Sequence, residues 1–391
     1  MRLIAILLFV VSATACRATP EPGAPAQGSA TSSGAFVWHK GQPAEVGMDS
    51  TALAALDADF KAGKYHYVDA MFVTRHGVAV ADAQYEHDYK TIYGGRDTSS
   101  HIYNYYDTAW HPYYNGTRLH TLQSVTKSVT SIVVGLARTR GQFPDLDARV
   151  LGFFPDRTVA NLDDRKRQMT IRNLLTMTAG FDWDESKTAY TDPRNNCAVM
   201  EKSQDWIQYV LDRPMANDPG TTWVYNSGAT ELLAAIFRQV TGADLGEYAK
   251  ANLFTPLGIT DFYWKRTPLG LPDTEGGLYL TPPDLAKLGR LWLSGGVWDG
   301  TRLVSADWVA ESVKPAIATS GIAKYGFKWW LFPYGAGNDR MAWVMNGFGG
   351  QRLIAIPEFD IAAVFTGWNI DENPPLPIKE MVDRLVAAVA K

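Results

Sequence analysis

The chain has 391 residues, of which 46% are hydrophobic and 20% charged, with a formal net charge of -4 and a sequence pI near 6.0. That balance belongs to a folded chain with a sizeable core, and without a basic block it offers nothing to a polyanion, so a nucleic-acid partner is excluded. The only cysteines are Cys16 and Cys197, so once the leader is processed no intramolecular disulfide is expected and Cys197 reads as an inert thiol.

Arg2, the apolar run Leu3 to Val11 and the small residues Ala13-Thr14-Ala15 form an export signal, too short to remain as a membrane-spanning helix. Cys16 follows directly, as in the lipobox of bacterial lipoproteins, although Ala13 stands where such signals usually carry Leu. The expectation is a periplasmic protein, with either lipid anchoring at Cys16 or simple cleavage. Residues 17–35 are Pro, Ala, Gly, Ser and Thr with almost no large apolar side chain, a composition that reads as a linker.

The folded part begins near Phe36. Asp49-Ser50 caps a helix through Leu53, Leu56 and Phe60, and Asp69 to Thr74 and Val78 to Tyr85 read as two strands around an Arg75-His76-Gly77 turn. A long insertion rich in Tyr, His and Asn runs from Tyr85 to Thr117. Helices are predicted from Ser124 to Arg138, Ile171 to Met177, Ser203 to Leu211 and Gly228 to Val240. After a further helix through Leu285, Leu288 and Leu291, strand-like runs occupy Tyr325 to Phe332, Met341 to Met345, Arg352 to Ile356 and Ile361 to Thr366, before a last helix over Ile378 to Ala390. Strands at both ends with helices between them indicate an α+β fold. One antiparallel sheet is built from 36–120 and 256–391, flanked by the terminal helices, with an all-helical region, 121–255, inserted.

Ser124 and Lys127 open the strongest of these helices. Three residues apart, they share a helix face. A serine hydroxyl needs a base before it attacks. A lysine can be that base if burial and a helix N-terminus disfavour its charge, and Lys127 is expected to be lowered in this way. No G-x-S-x-G elbow surrounds Ser124, and all seven histidines precede it, which excludes a Ser-Asp-His order. No H-E-x-x-H or clustered His/Asp pattern points to zinc, so neither metal nor cofactor is expected. His120 is the one histidine close to the candidate nucleophile.

Two further segments carry chemistry. In Pro219 to Gly228, Tyr225 can act as a second proton carrier, with Asn226 or Ser227 expected to hydrogen-bond the lysine. In Met345-Asn346-Gly347-Phe348-Gly349-Gly350-Gln351, glycines between two strands permit close approach, and a backbone N–H there can join that of Ser124 as an oxyanion hole.

In order and spacing these segments resemble the S-x-x-K, Y-x-N and K-T-G series of the serine penicillin-recognising enzymes: class C β-lactamases, D-alanyl-D-alanine peptidases and related esterases. The resemblance runs from about Phe36 to Lys391. It includes the phrases Ile171 to Gly180 and Gly276 to Leu285, and implies a β-lactamase/transpeptidase-like fold. It makes Ser124 the acylated nucleophile, Lys127 its base, Tyr225 the proton carrier and the Phe348 N–H the second oxyanion donor. Ser227 stands where Asn is common, and Met345-Asn346-Gly347 replaces K-T-G, removing the cation that holds a β-lactam carboxylate. Efficient penicillin hydrolysis is therefore not expected. The uncharged residue and the Gly-Gly-Gln stretch are similar to the aminohexanoate-dimer hydrolase and esterase branch, in which Tyr190 would take the place of a tyrosine that assists amide cleavage. The reading is a serine hydrolase acting on a small ester or amide, with two alternatives: a non-catalytic protein that binds cell-wall fragments or β-lactams, and a D-alanyl-D-alanine peptidase.

Overall fold

A computed structural model describes residues 36–96, 104–190, 192, 194–371 and 376–390. The leader, the lipidation residue Cys16 and the linker lie outside the described residues. Nine strands form the main sheet: β1 (His39–Lys40), β2 (Val68–Arg75), β3 (Val78–Gln84), β4 (Ile317–Ala318), β5 (Lys324–Tyr325), β6 (Trp330–Tyr334), β7 (Arg340–Gly347), β8 (Gln351–Ile356) and β9 (Ile361–Gly367). Their order is β1-β3-β2-β9-β8-β7-β6-β5-β4. Every pairing is antiparallel except β1 with β3. The N-terminal hairpin thus joins the C-terminal meander through β2 and β9, and the sheet is assembled from the two ends of the chain.

Both faces are covered, which is why β8 and β9 are buried at every position. On one face α1 (Ser50–Lys61) and α5 (Ile378–Ala387) place Leu53, Leu56, Phe60, Met381 and Leu385 against Ile354, Ile356 and Phe365. On the other lie α2 (Val125–Thr139) and α4 (Pro282–Leu293). Helix α4 starts on the side chain of Thr281, which accepts from the Asp284 N–H. It can approach the sheet because Gly289 has no side chain: a Cβ there would stand 3.0 Å from Ala362 Cβ and 3.2 Å from Leu353 Cδ1. Helix α3 (Gly228–Thr241) packs against α2 and the helical segments around it.

Helix α2 carries Val129, Ile132, Val133 and Leu136 at i, i+3, i+4 and i+7, and all four are fully buried. The helix expected from Ser203 to Leu211 forms as Trp206–Asp212, and a separate helix that was not expected, Asn196–Lys202, precedes it. Ser203 is extended, and the Asp205 side chain caps the second helix by accepting from the Gln208 N–H, which breaks the run. Likewise Tyr325 to Phe332 divides between β5 and β6.

Candidate active site

Two short strands bring the chemistry together. His120–Thr121 pairs antiparallel with Leu278–Leu280, and the Leu122 N–H continues the pairing to Leu278 O at 2.9 Å. Antiparallel pairing puts the residues after Thr121 beside those before Leu278, so Lys127 and Glu275 meet although distant in sequence. Gln123 has φ 47, a conformation that few non-glycine residues adopt, and it turns the chain sharply into α2. Ser124 occupies the position just before α2, with its side chain making no capping bond.

Lys127 Nζ donates to Ser124 Oγ at 2.8 Å, to the Glu275 carbonyl oxygen at 2.7 Å and to Glu275 Oε2 at 3.1 Å. It is 1% exposed. The spacing read from the sequence therefore places both side chains together on one helix face. The charge on Lys127 departs from expectation. Burial alone pushes it down, but Tyr225 and the carboxylates of Glu275 and Glu185 more than reverse this, and Lys127 stands well above the ordinary lysine value. The physical reason is the phenol and the two carboxylates around it, which no reading of the helix alone supplies.

The Tyr225 ring centroid lies 5.2 Å from Lys127 Nζ, and Lys127 and Ser124 both act to lower the phenol. Burial raises the phenol and Lys127 pulls it back, leaving it above its usual value. Asn226 and Ser227 do not bond the lysine. The Asn226 side chain accepts from the Ala229 N–H at 2.9 Å in the first turn of α3. Ser227 is taken by Glu185, whose carboxylate accepts from its N–H and its hydroxyl at 2.7 Å each. Glu185 also accepts from Trp183 Nε1 at 2.6 Å and from the Tyr190 hydroxyl at 3.1 Å.

A cavity of about 360 Å³ opens in front of Ser124, lined by Tyr225, Tyr190, Trp330, Asn346, Gly347 and Phe348 among others. Gly347 is glycine for a reason: a Cβ there would stand 2.4 Å from Leu122 O, so the end of β7 can approach the turn before Ser124 only without a side chain. Met345, which occupies the first position of the K-T-G-like segment, is fully buried and does not line the cavity. Behind Tyr190 and Phe348 lies a second cavity of about 910 Å³, bounded by Arg96, Tyr105, Tyr106 and Asp371. The described part of the long insertion supplies Tyr105, whose ring packs on Phe348 at 5.2 Å and on Tyr190 at 6.2 Å; residues 97–103 of it lie outside the described residues.

Sequence reasoning missed Glu275, Glu185, Lys328 and Arg352. Glu275 immediately precedes the Gly276-Gly277 phrase, and Glu185 follows Trp183 in a stretch that reads as loop; nothing local marks either as a partner of the site. Lys328 is buried, its Nζ meeting only the sulfur of Met177 among the described residues, and burial holds it well below the ordinary lysine value. His120 is turned away from Ser124: Nε2 faces Asp69 Oδ2 and Nδ1 faces Thr121 O, both at 2.8 Å.

Cys197 is free and buried. Although its neighbours in sequence carry no ligand, the fold sets its Sγ and carboxylate oxygens of Glu201 and Glu275 within 4.8 Å of one another. Burial pushes the Cys197 thiol well up, away from the thiolate a metal requires, and Glu275 already faces the Lys127 ammonium. The cluster thus pairs with a lysine where a metal site would pair with a cation. Among the described residues, no helix is long and apolar enough to cross a membrane.

The Beta-lactamase family profile matches residues 58–387. The 6-aminohexanoate-dimer hydrolase of Paenarthrobacter ureafaciens is 28% identical over 267 residues, covering 63% of this chain and 65% of the relative. The lovastatin esterase of Penicillium rubens is 30% identical over 197 residues, 45% of this chain and 46% of the relative. The chain thus matches about two thirds or less of the length of these relatives. In structure, a family VIII carboxylesterase superposes with a TM-score of 0.63 at 18% identity, covering 87% of this chain and 96% of that one. An octameric penicillin-binding protein homologue from Pyrococcus abyssi gives 0.59 at 18% identity, covering 83% and 74%.

Proposed function

The chain belongs to the beta-lactamase family, and we propose that it is a serine hydrolase that cleaves an ester or amide through an acyl-enzyme on Ser124. The observation that carries this reading is the 2.8 Å contact from Lys127 Nζ to Ser124 Oγ at the wall of a cavity.

Ser124 Oγ attacks the substrate carbonyl carbon, and its proton passes to the Lys127/Tyr225 pair. With Lys127 held charged, the pair becomes a base once it has lost one of its two protons, and that deficit is shared between the amine and the phenol. The backbone N–H groups of Ser124 and Phe348 receive the oxyanion. The pair then protonates the departing alcohol or amine, and water repeats the sequence to release the acid and restore Ser124. In this reading Tyr190, bonded to Glu185 and lining the cavity, contacts the leaving group, while Asn346 and Gly347 border the acyl group. Asn226 and Ser227 act indirectly, by fixing the start of α3. The leader from Arg2 to Cys16 supports the further proposal that the enzyme works in the periplasm, either lipid-anchored at Cys16 or released by cleavage.

The test is hydrolysis of 4-nitrophenyl butyrate by the purified chain, with Ser124→Ala reducing turnover to background. Undiminished turnover in that variant would remove Ser124 from the chemistry.

A further inference from the structure

Arg352 stands on β8 directly opposite Asn346 of β7, and it lines the cavity that contains Ser124. It is 4% exposed. Nη1 donates to Gly347 O at 2.6 Å and to Gln351 O at 2.8 Å, while Nε is buried with no hydrogen-bond partner. Among the described residues no carboxylate pairs with this guanidinium. Burial pulls it down to about 9, which leaves it charged at neutral pH.

A buried, unpaired cation is costly unless something of opposite charge meets it. The two carboxylates that line the same cavity are engaged elsewhere. Glu185 holds Ser227, Trp183 and Tyr190. Asp371 holds Arg96 at 2.6 Å and the Tyr106 hydroxyl at 2.9 Å. A guanidinium with a donor to spare, on the wall of a catalytic pocket, matches a planar carboxylate.

We propose that Arg352 receives a carboxylate of the substrate, so that the preferred substrates are esters or amides bearing a carboxylate in their acyl or leaving part. The proposal rests on the reading of Ser124 as the acylated nucleophile.

Two pairs of substrates test it. Mono-4-nitrophenyl glutarate against 4-nitrophenyl valerate varies the acyl end, and 4-carboxyphenyl butyrate against phenyl butyrate varies the leaving end. In one pair the wild-type kcat/KM should favour the carboxylate roughly tenfold or more, chiefly through KM. In Arg352→Gln that ratio should fall to about 1, and Arg352→Lys should keep part of it. Because the ratio is read within each protein, a general loss of activity through the Gly347 contact cancels. A readout that needs no variant is inhibition of valerate ester hydrolysis: glutarate should compete at least about tenfold better than glutaramide, and salt should weaken it. No preference in either pair together with equal inhibition by glutarate and glutaramide overturns the proposal, as does a preference that survives in Arg352→Gln. If none of the four esters is cleaved and Ser124 resists acylation, it is the hydrolase reading that fails instead.

Discussion

Glu275 meets Lys127 twice: its carbonyl oxygen accepts from Nζ at 2.7 Å and its carboxylate lies 3.1 Å away. The lysine that should take the serine proton is thus stabilised in its charged form, together with Tyr225 and Glu185. The sign for catalysis follows. The Lys127/Tyr225 pair must lose one proton to act as base, so kcat/KM rises with pH, and groups that raise Lys127 push that ascending limb upward. Glu275→Gln removes one of them and keeps the carbonyl contact. Its limb should move to lower pH, so that on the limb its kcat/KM, relative to its own plateau, exceeds that of wild type by roughly tenfold. A pH profile of kcat/KM decides; an unmoved limb, or one moved upward, contradicts the role given to Glu275.

Tyr225→Phe removes the hydroxyl beside the Ser124/Lys127 pair and keeps the ring packed on Trp330 at 5.9 Å. Turnover should fall by about a hundredfold or more, the usual scale for a lost proton carrier. Kinetics close to those of wild type would take Tyr225 out of the mechanism.

Lys328 makes the opposite case to Lys127. Its folded value lies well below the ordinary 10.5, so below that pH the unfolded chain gains a proton that the folded chain resists, and stability rises with pH through the interval. Lys328→Met should abolish that dependence and raise stability at pH 7 by about 1–4 kcal/mol, the range by which apolar replacement of buried ion pairs can stabilise. Urea denaturation at pH 7 and pH 10 measures both; destabilisation at pH 7 would show that the amine has a structural role that its single contact with Met177 does not reveal.

His120 is a structural residue in this fold, despite its position four residues before Ser124. His120→Ala leaves Asp69, which is 1% exposed, with one of its two side-chain partners, the Tyr89 hydroxyl at 2.7 Å. It should cost about 3–5 kcal/mol of stability, read as a lower denaturation midpoint. A loss below about 1 kcal/mol would mean the pair is dispensable.

What was legible in the sequence is what is local. Ser124 and Lys127 are three apart on one helix, so their contact follows from helical geometry, and the strands at both ends foretold a sheet closed by β2 and β9. What was not legible depends on distant partners. Tyr225, Glu275 and Glu185 together reverse the sign of the shift expected for the lysine, and of these Glu275 reaches it across 148 residues. Ser227 was read as a partner of Lys127 because the two belong to one motif series; Glu185, 42 residues away, captures it instead. Arg352 looked like one more residue of a buried strand, because periodicity says nothing about which positions border a cavity.

The most direct measurement is the site of covalent acylation. After incubation with a fluorophosphonate, intact-mass and peptide mass spectrometry should find a single adduct, on the peptide that contains Ser124, and no adduct in Ser124→Ala. An adduct on another residue, or one that persists in that variant, would contradict the assignment of Ser124 as the nucleophile.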